Sequence, residues 1–266
     1  MQLVDFSARD SISAVLIVKD EAAFISRALG SLLWCDEIVV VDSYSTDQTK
    51  EICLNSKAPW VSKIKFIQQN WLGFSDQRNF AINQANSQWI FFLDGDEACS
   101  PALSSRIQEI LTKNKEVKAI QYKVHRQEYF LGKPIYFGIW NPSFHVRLFK
   151  KGNVKFSGAV HEGTISDCET LKINESIFHI EDLRIERFLN KLNTYTSLQA
   201  KDDFSSGMRT NFFKIFFAFP AMFYKNYFYY RSYRDGKEGF IISVLEGISR
   251  TVRHLKIWQL QRGNKP

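Results

Sequence analysis

The chain has 266 residues, which is long enough to bury a full hydrophobic core and to add a smaller second unit. A hydrophobic content of 45% and a charged content of 24% are typical of globular proteins. Residues 209–266 contain eleven Lys or Arg and three acids, a net charge of +8. Since the whole chain carries +7, the first 208 residues stand near −1. This distribution argues against a nucleic-acid-binding surface on the main domain and indicates a separate role for the C-terminal region.

The cysteines predict buried thiols in a reducing compartment. They show no C-x-x-C spacing and lie near no histidine cluster, so a zinc site and a disulfide framework are not expected. They are Cys35, Cys53, Cys99 and Cys168. Residues 1–11 include acids and Arg9 but no apolar segment. We therefore expect no secretory signal and a cytoplasmic protein.

Strands and helices alternate four times in the first part of the chain. Continuous apolar segments predict buried strands at 11–18, 37–42, 63–68 and 89–93. A helix is expected after each strand, and its start is indicated by Asp20, by Ser45 with Gln48, by Ser75, and by Ser100 before Pro101. This order predicts an α/β fold with a Rossmann-like parallel sheet and helices on both faces.

The pattern changes after residue 118. Shorter segments predict a mixed sheet with strands at 119–124, 144–149, 154–156 and 177–180. Helical spacing returns near Glu186. We therefore predict one catalytic domain at 1–185, with halves at 11–117 and 118–185, and a helical C-terminal region at 186–266.

The stretch WIFFLDGDE places three acids directly after the fourth strand. Asp94 and Asp96 stand two residues apart, so in an extended backbone their carboxylates point the same way. Gly95 lets a ligand approach the backbone closely. Two hard oxygen donors at a sheet edge suit Mg²⁺ or Mn²⁺ that carries phosphate oxygens. The alternative is a polar turn after a strand, because D-x-D is common by chance.

Acids also follow the first two strands. Asp20 and Glu21 come after the first strand, and Asp42 and Asp47 come at and after the end of the second. The carboxyl ends of parallel strands share one edge, so these groups are expected to converge. Asp20 and Asp47 have an alternative role at helix starts. The chain has no G-x-G-x-x-G after the first strand and no G-x-x-x-x-G-K, which argues against dinucleotide and P-loop sites.

Three segments, in this order, resemble the inverting family 2 glycosyltransferases of the GT-A fold: VLIVKDEAAFISRALGSL, EIVVVDSYSTDQT and QRNFAINQANSQWIFFLDGDE. The resemblance covers roughly residues 11–165. It implies a nucleotide-sugar donor, held by the half at 11–117, and a divalent metal, Mg²⁺ or Mn²⁺. It also implies that Asp96 binds the metal. The residues implied to bind the donor are Lys19, Asp20, Glu21, Asp42, Arg78 and Asp94.

The segments RLFKKG and FSGAVHE resemble the branch of this family that includes transferases of the lipopolysaccharide core. The resemblance implies that Glu162 is the general base for the acceptor hydroxyl. His161 is then a metal ligand or a diphosphate contact, or else a surface loop residue. Many family members carry a Glu-Asp pair at this point, which this chain lacks. Arg147, Arg231 and Arg234 are expected to contact the acceptor.

The acceptor implied by this branch is a lipid-linked saccharide, the heptose region of a lipopolysaccharide core. A polyprenyl phosphate or another surface glycan is the alternative acceptor. UDP-glucose is the first donor to test, by analogy with the branch.

The segment 211–230, NFFKIFFAFPAMFYKNYFYY, contains eleven Phe or Tyr. Lys214, Lys225 and Pro220 argue against a transmembrane span. Aromatic rings mixed with lysines favour the headgroup region of a bilayer. The alternative is a helical appendage whose aromatic rings cover the catalytic domain.

Residues 239–260 predict an amphipathic basic helix. The expected apolar face consists of Ile241, Val244, Leu245, Ile248, Val252 and Leu255, and the basic side of Arg250, Arg253 and Lys256. Such a helix suits an anionic lipid surface. We therefore expect a cytoplasmic enzyme that is peripheral on the inner membrane.

Two other classes of protein share part of this pattern. A phosphatase with an aspartyl nucleophile also carries D-x-D after an apolar strand. Its motif follows the first strand and continues to Thr or Val, whereas here it follows the fourth and continues to Glu97. A non-enzymatic membrane- or nucleic-acid-binding module explains the C-terminal region but not the acids at three strand ends.

Overall fold

The computed structural model describes residues 9–113, 121–157, 163–165, 169–180 and 185–263. The chain divides into two compact units. The first consists of Met1–Arg126 and Ser143–Ile180, and the second of Gln127–Pro142 and Glu181–Pro266. The second unit therefore includes a segment from the middle of the chain, 127–142, that the sequence had placed in the catalytic domain.

The strands, in chain order, are β1 (Ile12–Val18), β2 (Glu37–Asp42), β3 (Ile64–Gln68), β4 (Trp89–Phe92), β5 (Glu97–Cys99), β6 (Gln121–Phe130), β7 (Lys133–Pro134), β8 (Ser143–Lys150), β9 (Lys155–Ser157), β10 (Gly163–Ile165) and β11 (Thr170–His179). The helices of the first unit are α1 (Ile25–Gly30), α2 (Thr49–Cys53), α3 (Phe74–Gln84) and α4 (Pro101–Lys113).

The main sheet has the strand order β3-β2-β1-β4-β8-β6-β11-β5. β1 lies parallel to both β2 and β4, and β2 lies parallel to β3. β4 pairs with β8 in the antiparallel sense, so the sheet becomes mixed at this strand. The predicted parallel half and the predicted change to mixed strands are both confirmed.

The two central parallel strands, β1 and β4, are buried on both faces of the sheet. Every residue of β1 and β4 is buried, and successive side chains enter the two hydrophobic layers on opposite sides of the sheet. Leu16 and Phe91 belong to one layer, and Val15 and Phe92 to the other. Continuous apolar runs are required for this arrangement, because alternation with polar residues would bury unpaired polar groups.

Two predicted helix starts are wrong because their polar side chains bind another loop. The Asp20 carboxylate accepts a hydrogen bond from the backbone N–H of Thr46, at 2.6 Å, and α1 begins five residues after Asp20. The Ser45 hydroxyl accepts a hydrogen bond from the backbone N–H of Asp20 at 2.8 Å and donates to the Asp42 carboxylate, and α2 begins only at Thr49. In both cases the bond links or closes loops at the end of β2 instead of capping a helix.

Of the other two predicted helix starts, that of α3 is wrong and that of α4 is confirmed. α3 begins at Phe74 after Gly73, whose φ of 93° requires a glycine, so the expected cap at Ser75 is wrong. α4 begins at Pro101 as predicted, and the Ser100 hydroxyl accepts from the backbone N–H of Leu103 at 3.1 Å.

The second unit is mainly helical, as predicted for the C-terminal region. Its helices are α5 (Ile185–Ser205), α6 (Phe212–Tyr224) and α7 (Gly236–Gln261), and a π-helical turn and a 3₁₀ turn lie between the last two. The end of β6 and β7 add a short antiparallel hairpin. Phe130 and Ile135 of this segment form a core with Ile242 and Leu245 of α7. The hairpin is thus an integral part of the unit.

The predicted basic side of α7 is partly wrong, because two of its members contact α5. Ile248 and Leu255, assigned to the apolar face, are exposed. Arg253, assigned to the basic side, makes an ion pair with Asp203 of α5. The Lys256 ammonium donates to side chains and to a backbone carbonyl of α5. α7 packs against both α5 and α6, so part of its polar surface serves helix packing.

α6 exposes a continuous group of aromatic rings, which we call the α6 aromatic face. Its members, each more than half exposed, are Phe212, Phe213, Phe216 and Phe217. Neighbouring rings contact each other edge to face or stacked. Among the helices that the structure describes, none has the length and apolar character needed to cross a membrane.

Candidate active site

The loops after β1 and β2 meet at the carboxyl edge of the sheet, as expected. The Lys19 ammonium donates to the backbone carbonyls of Ser43 and Tyr44, at 3.1 and 2.5 Å. The backbone N–H of Ala22 donates to the Asp47 carboxylate at 2.9 Å. Hydrogen bonding to the Thr46 backbone lowers the pKa of Asp20, so this carboxylate stays ionised. The contacts fix the two loops against each other.

Asp42 lies at the end of β2 and is fully buried. Its carboxylate accepts from the backbone and hydroxyl of Ser45 and from the side-chain amide of Gln68. In this position the carboxylate shapes the loop after β2. Its direct contact with a nucleoside stays a prediction.

Asp94 lies between two guanidinium groups. One of its carboxylate oxygens is 2.8 Å from Arg147 and the other is 3.3 Å from Arg78. Burial alone would raise the pKa of Asp94, but the attraction of Arg147 and Arg78 outweighs it and holds the pKa well below its usual range. Arg78 in turn lies over the rings of Phe92 and Phe156, with its guanidinium carbon 5.0 and 5.3 Å from the ring centroids. The orientation of the Asp94 carboxylate is therefore fixed on both sides.

Glu97, the last acid of the stretch WIFFLDGDE, is fully buried and stabilises the turn. Its carboxylate accepts from the backbone N–H of Asp94 at 3.0 Å and from Arg147 at 2.6 Å, and it lies 3.6 Å from Arg126. Burial raises the pKa of Glu97. Through these bonds Glu97 links the backbone of the motif to the arginine that orients its first carboxylate.

The position of Arg147 differs from the expectation that it contacts an acceptor. Its side chain is 4% exposed and donates to Asp94 and Glu97. Three arginines and two carboxylates make up this cluster, namely Arg78, Arg126 and Arg147 with Asp94 and Glu97. The cluster therefore keeps one positive charge, which suits an anionic ligand at the edge of the sheet. Arg147 is better described as a residue that positions Asp94.

Asp96 has different partners from Asp94. Its carboxylate lies 3.2 Å from Nε2 of His179, the last residue of β11. The backbone N–H of Glu97 donates to the carbonyl of Asp94 at 3.0 Å, which closes a turn. The expectation of an extended backbone with two parallel carboxylates is therefore wrong. The turn separates the carboxylates and presents Asp96 to the histidine.

The pair of Asp96 and His179 fits one edge of a metal coordination sphere. Two ligands that each lie about 2.1 Å from an octahedral cation, at right angles, are roughly 3 Å apart. Among the described residues no cluster of three or more His, Cys, Asp or Glu could hold a metal. Water and substrate oxygens would have to supply the remaining ligands, which is usual for Mg²⁺ in phosphate chemistry.

His161 and Glu162 fall outside the residues that the structure describes. Arg231 and Arg234 belong to the second unit, where both are exposed. Arg231 has a left-handed backbone with φ 60°, and the Arg234 guanidinium lies 4.3 Å from the ring centroid of Phe137.

The sequence did not reveal Glu97, Arg126 or His179 as site residues. Arg126 and His179 are 29 and 82 residues away from Glu97 along the chain, and both reach the turn only through pairing within the main sheet. The one available signal was that His179 ends an apolar strand segment, IFH, as the acids do. A lone histidine in that position was not distinctive enough.

A parallel sheet that turns mixed beyond a D-x-D turn, with acids at three strand ends, is the arrangement expected of the GT-A class of nucleotide-sugar transferases. The family model described as "Glycosyl transferase family 2" matches residues 13–219, more than half of the chain. The chain therefore belongs to glycosyltransferase family 2 and is a glycosyltransferase with a GT-A fold.

Relatives match nearly the whole chain. The "Lipopolysaccharide core biosynthesis glycosyltransferase LpsC" of Rhizobium meliloti is 30% identical over 252 residues, which cover 93% of this chain and 92% of the relative. An "Uncharacterized glycosyltransferase" of Rickettsia felis is 31% identical over 264 residues, covering 93% and 89%. The crystal structure of S. aureus TarS 1-349 covers 96% of this chain and 92% of its own, with 14% identity and a TM-score of 0.45, a likeness too distant to inform the site.

Proposed function

We propose that this glycosyltransferase moves a sugar, with inversion, from a nucleotide-sugar donor to a lipid-linked saccharide of the lipopolysaccharide core in a metal-dependent reaction. The observation that supports the proposal most is the D-x-D turn, where Asp94 is held by two arginines and Asp96 faces His179. The name of the Rhizobium meliloti relative supports the acceptor class.

In this proposal the donor binds along the carboxyl edge of the sheet. Asp94, held in a fixed orientation, accepts hydrogen bonds from the donor ribose. The loop of Lys19, Asp20 and Glu21 lines the nucleoside. Arg78 supplies positive charge near the diphosphate, where negative charge grows as the glycosidic bond breaks. UDP-glucose is the first donor to test.

The metal would be Mg²⁺ or Mn²⁺, and Asp96 and His179 would hold it, with His161 as a further candidate ligand. It would supply positive charge that offsets the charge on the departing diphosphate. The two side chains provide one carboxylate oxygen and one imidazole nitrogen, a set that Mn²⁺ accepts and that leaves positions for donor phosphates.

Glu162 is the proposed general base. Its carboxylate takes the proton of the acceptor hydroxyl as that oxygen attacks the anomeric carbon, and the nucleoside diphosphate leaves with the electrons of the broken bond. General-base help of this kind contributes about 10²–10⁴-fold in rate. This assignment is supported by the Val-His-Glu segment of the sequence.

The second unit is proposed to bring the enzyme to its lipid-linked acceptor on the cytoplasmic face of the inner membrane. The α6 aromatic face is exposed, and Lys214 and Lys225 belong to the same segment. Aromatic rings next to lysines suit the headgroup region of an anionic membrane. Arg231 and Arg234, exposed just beyond this segment, are proposed to bind an anionic group of the acceptor.

The proposal is tested by replacing Asp96 with Ala. Transfer from the active nucleotide sugar should fall by at least about 100-fold, because the variant loses a metal ligand. Mn²⁺-dependent binding of UDP, measured by calorimetry, should weaken in parallel. Glu109→Ala, which changes an exposed acid on α4, is the matched control and should keep both activities. Wild-type transfer by the Asp96 variant without added metal would contradict the site assignment.

A further inference from the structure

An exposed aromatic pair follows β3 and is not used by the site described above. Trp71 and Phe74 are 48% and 46% exposed, although both are large apolar side chains. Their rings contact each other edge to face, with centroids 4.8 Å apart. Leu72, between them, is exposed to the same degree. Exposed apolar groups clustered in this way mark a binding surface more often than scattered single residues do.

The loop that carries the pair is fixed to the end of β2. The backbone N–H of Gln69 donates to the carbonyl of Asp42 at 2.9 Å. At the other end, the backbone N–H of Leu72 donates to Gln77, whose side-chain amide donates to the Ser43 hydroxyl at 3.1 Å. Gln77 is fully buried. The two rings are therefore held next to the carboxyl edge of the sheet in a defined position.

The pair is continuous with the charged cluster. Phe74 is the first residue of α3, and Arg78 follows four residues later, so the two side chains lie on the same face of the helix one turn apart. Arg78 reaches Asp94 at 3.3 Å. An apolar ring surface thus leads within one helical turn to a guanidinium and then to the D-x-D turn.

The matching ligand has a flat aromatic ring at one end and an anionic group at the other. A nucleoside diphosphate has this form, with its base over the Trp71 ring and its phosphates towards Arg78. A lipid surface matches less well, because the basic charge of the chain lies beyond residue 208. We propose that Trp71, supported edge to face by Phe74, forms the stacking platform for the nucleobase of the donor, an inference that rests on the proposed function.

The test measures nucleotide affinity by calorimetry with Mn²⁺ present. The probe is whichever of UDP, GDP and ADP stabilises the wild-type protein most against heat. Trp71→Ala should weaken its binding roughly five- to 150-fold, the range that base–aromatic stacking gives. Trp71→Phe should keep most of the affinity, and inorganic pyrophosphate should bind both variants like the wild type, because it has no base. Trp258→Ala, at an exposed tryptophan of α7, is the matched control and should change nothing.

The outcomes separate this inference from the proposed function. Wild-type nucleotide affinity in Trp71→Ala, with or without a higher KM for the acceptor, would overturn the stacking platform and leave the transferase proposal in place. Equal losses for the nucleotide and for pyrophosphate would also overturn it, since they indicate a disturbed site. Absence of binding of all three nucleotides to the wild-type protein would contradict both.

Discussion

Arg147 shows how a buried charge takes its role from its partners. Its guanidinium lies between the carboxylates of Asp94 and Glu97, and the chain reaches this point only on β8. Attraction to the two acids raises the pKa of Arg147 although burial alone would lower it, so the charge is retained. Removing one member of such a buried group leaves an uncompensated charge, which costs about 3–5 kcal/mol.

Arg147→Met is therefore expected to lower the free energy of unfolding by about 3–5 kcal/mol, because the buried Glu97 then loses its 2.6 Å ion pair and keeps Arg126 at 3.6 Å. The measurement is urea denaturation at neutral pH. The double variant Arg147→Met with Glu97→Gln should recover part of the loss, since it removes both charges. Strictly additive losses in the double variant would show that the two residues act independently.

At the scale of single residues, the sequence predicted the acids of this turn but not that the carboxylates of Asp94 and Asp96 have different partners. Asp94 and Asp96 were recognisable because they follow an apolar strand directly. The turn that divides their carboxylates is stabilised by Glu97, which also receives Arg147 from 50 residues further along. Such long-range partners have no local pattern, so a periodicity or a cap cannot reveal them.

At the scale of elements, two glycines control how α7 packs. A Cβ at Gly239 would lie 1.8 Å from the backbone carbonyl oxygen of Ser232, and one at Gly247 would lie 2.7 Å from the ring of Phe219 on α6. A backbone oxygen cannot yield, whereas a ring can shift by a small amount. The two positions therefore differ in what they tolerate.

Gly239→Ala is expected to be the more damaging substitution and to prevent the native packing of the 3₁₀ turn on α7. Gly247→Ala should cost about 1–3 kcal/mol through overpacking. Gly30→Ala, at a glycine with nothing within 4 Å of the added Cβ, is the control. Thermal unfolding of the three variants gives the comparison. An equal effect at positions 239 and 247 would contradict this description of the interface.

The same scale shows which elements were predictable. β1, β2 and β4 follow from continuous apolar runs, because burial on both faces leaves no other composition. β6 and β11 are ten residues long and mix buried with exposed positions, so the sequence predicted only a part of each. The predicted starts of α1 and α2 are wrong for a different reason: Asp20 and Ser45 could cap a helix locally but bind a neighbouring loop instead.

At the scale of the whole molecule, the basic charge of the C-terminal region is only partly available to a membrane. Arg253 and Lys256 bind groups of α5, and Arg262 lies 3.9 Å from the ring centroid of Trp258. We therefore expect that the exposed aromatic rings contribute more to membrane binding than the net charge does.

Replacing the four members of the α6 aromatic face with Ser should weaken binding to vesicles of anionic phospholipid on the order of 100-fold or more. The reason is that each ring buried in the bilayer contributes about 1.5–3 kcal/mol. Raising the salt concentration should have a smaller effect on the wild-type protein. Co-sedimentation with vesicles is the measurement. Leu189→Ser with Leu198→Ser, exposed apolar positions on α5, is the control. Unchanged sedimentation of the four-fold variant would show that α6 does not contact the bilayer.

The chain passes between the two units three times, at residues 126–127, 142–143 and 180–181. Truncation of the chain at residue 185 therefore does not isolate the first unit. The truncated chain keeps a hairpin whose Phe130 and Ile135 no longer pack against Ile242 and Leu245. These apolar side chains become exposed to solvent and favour aggregation. A variant that contains the first unit alone therefore has to lack 127–142 as well as the C-terminal helices, with a short flexible linker that joins residues 126 and 143.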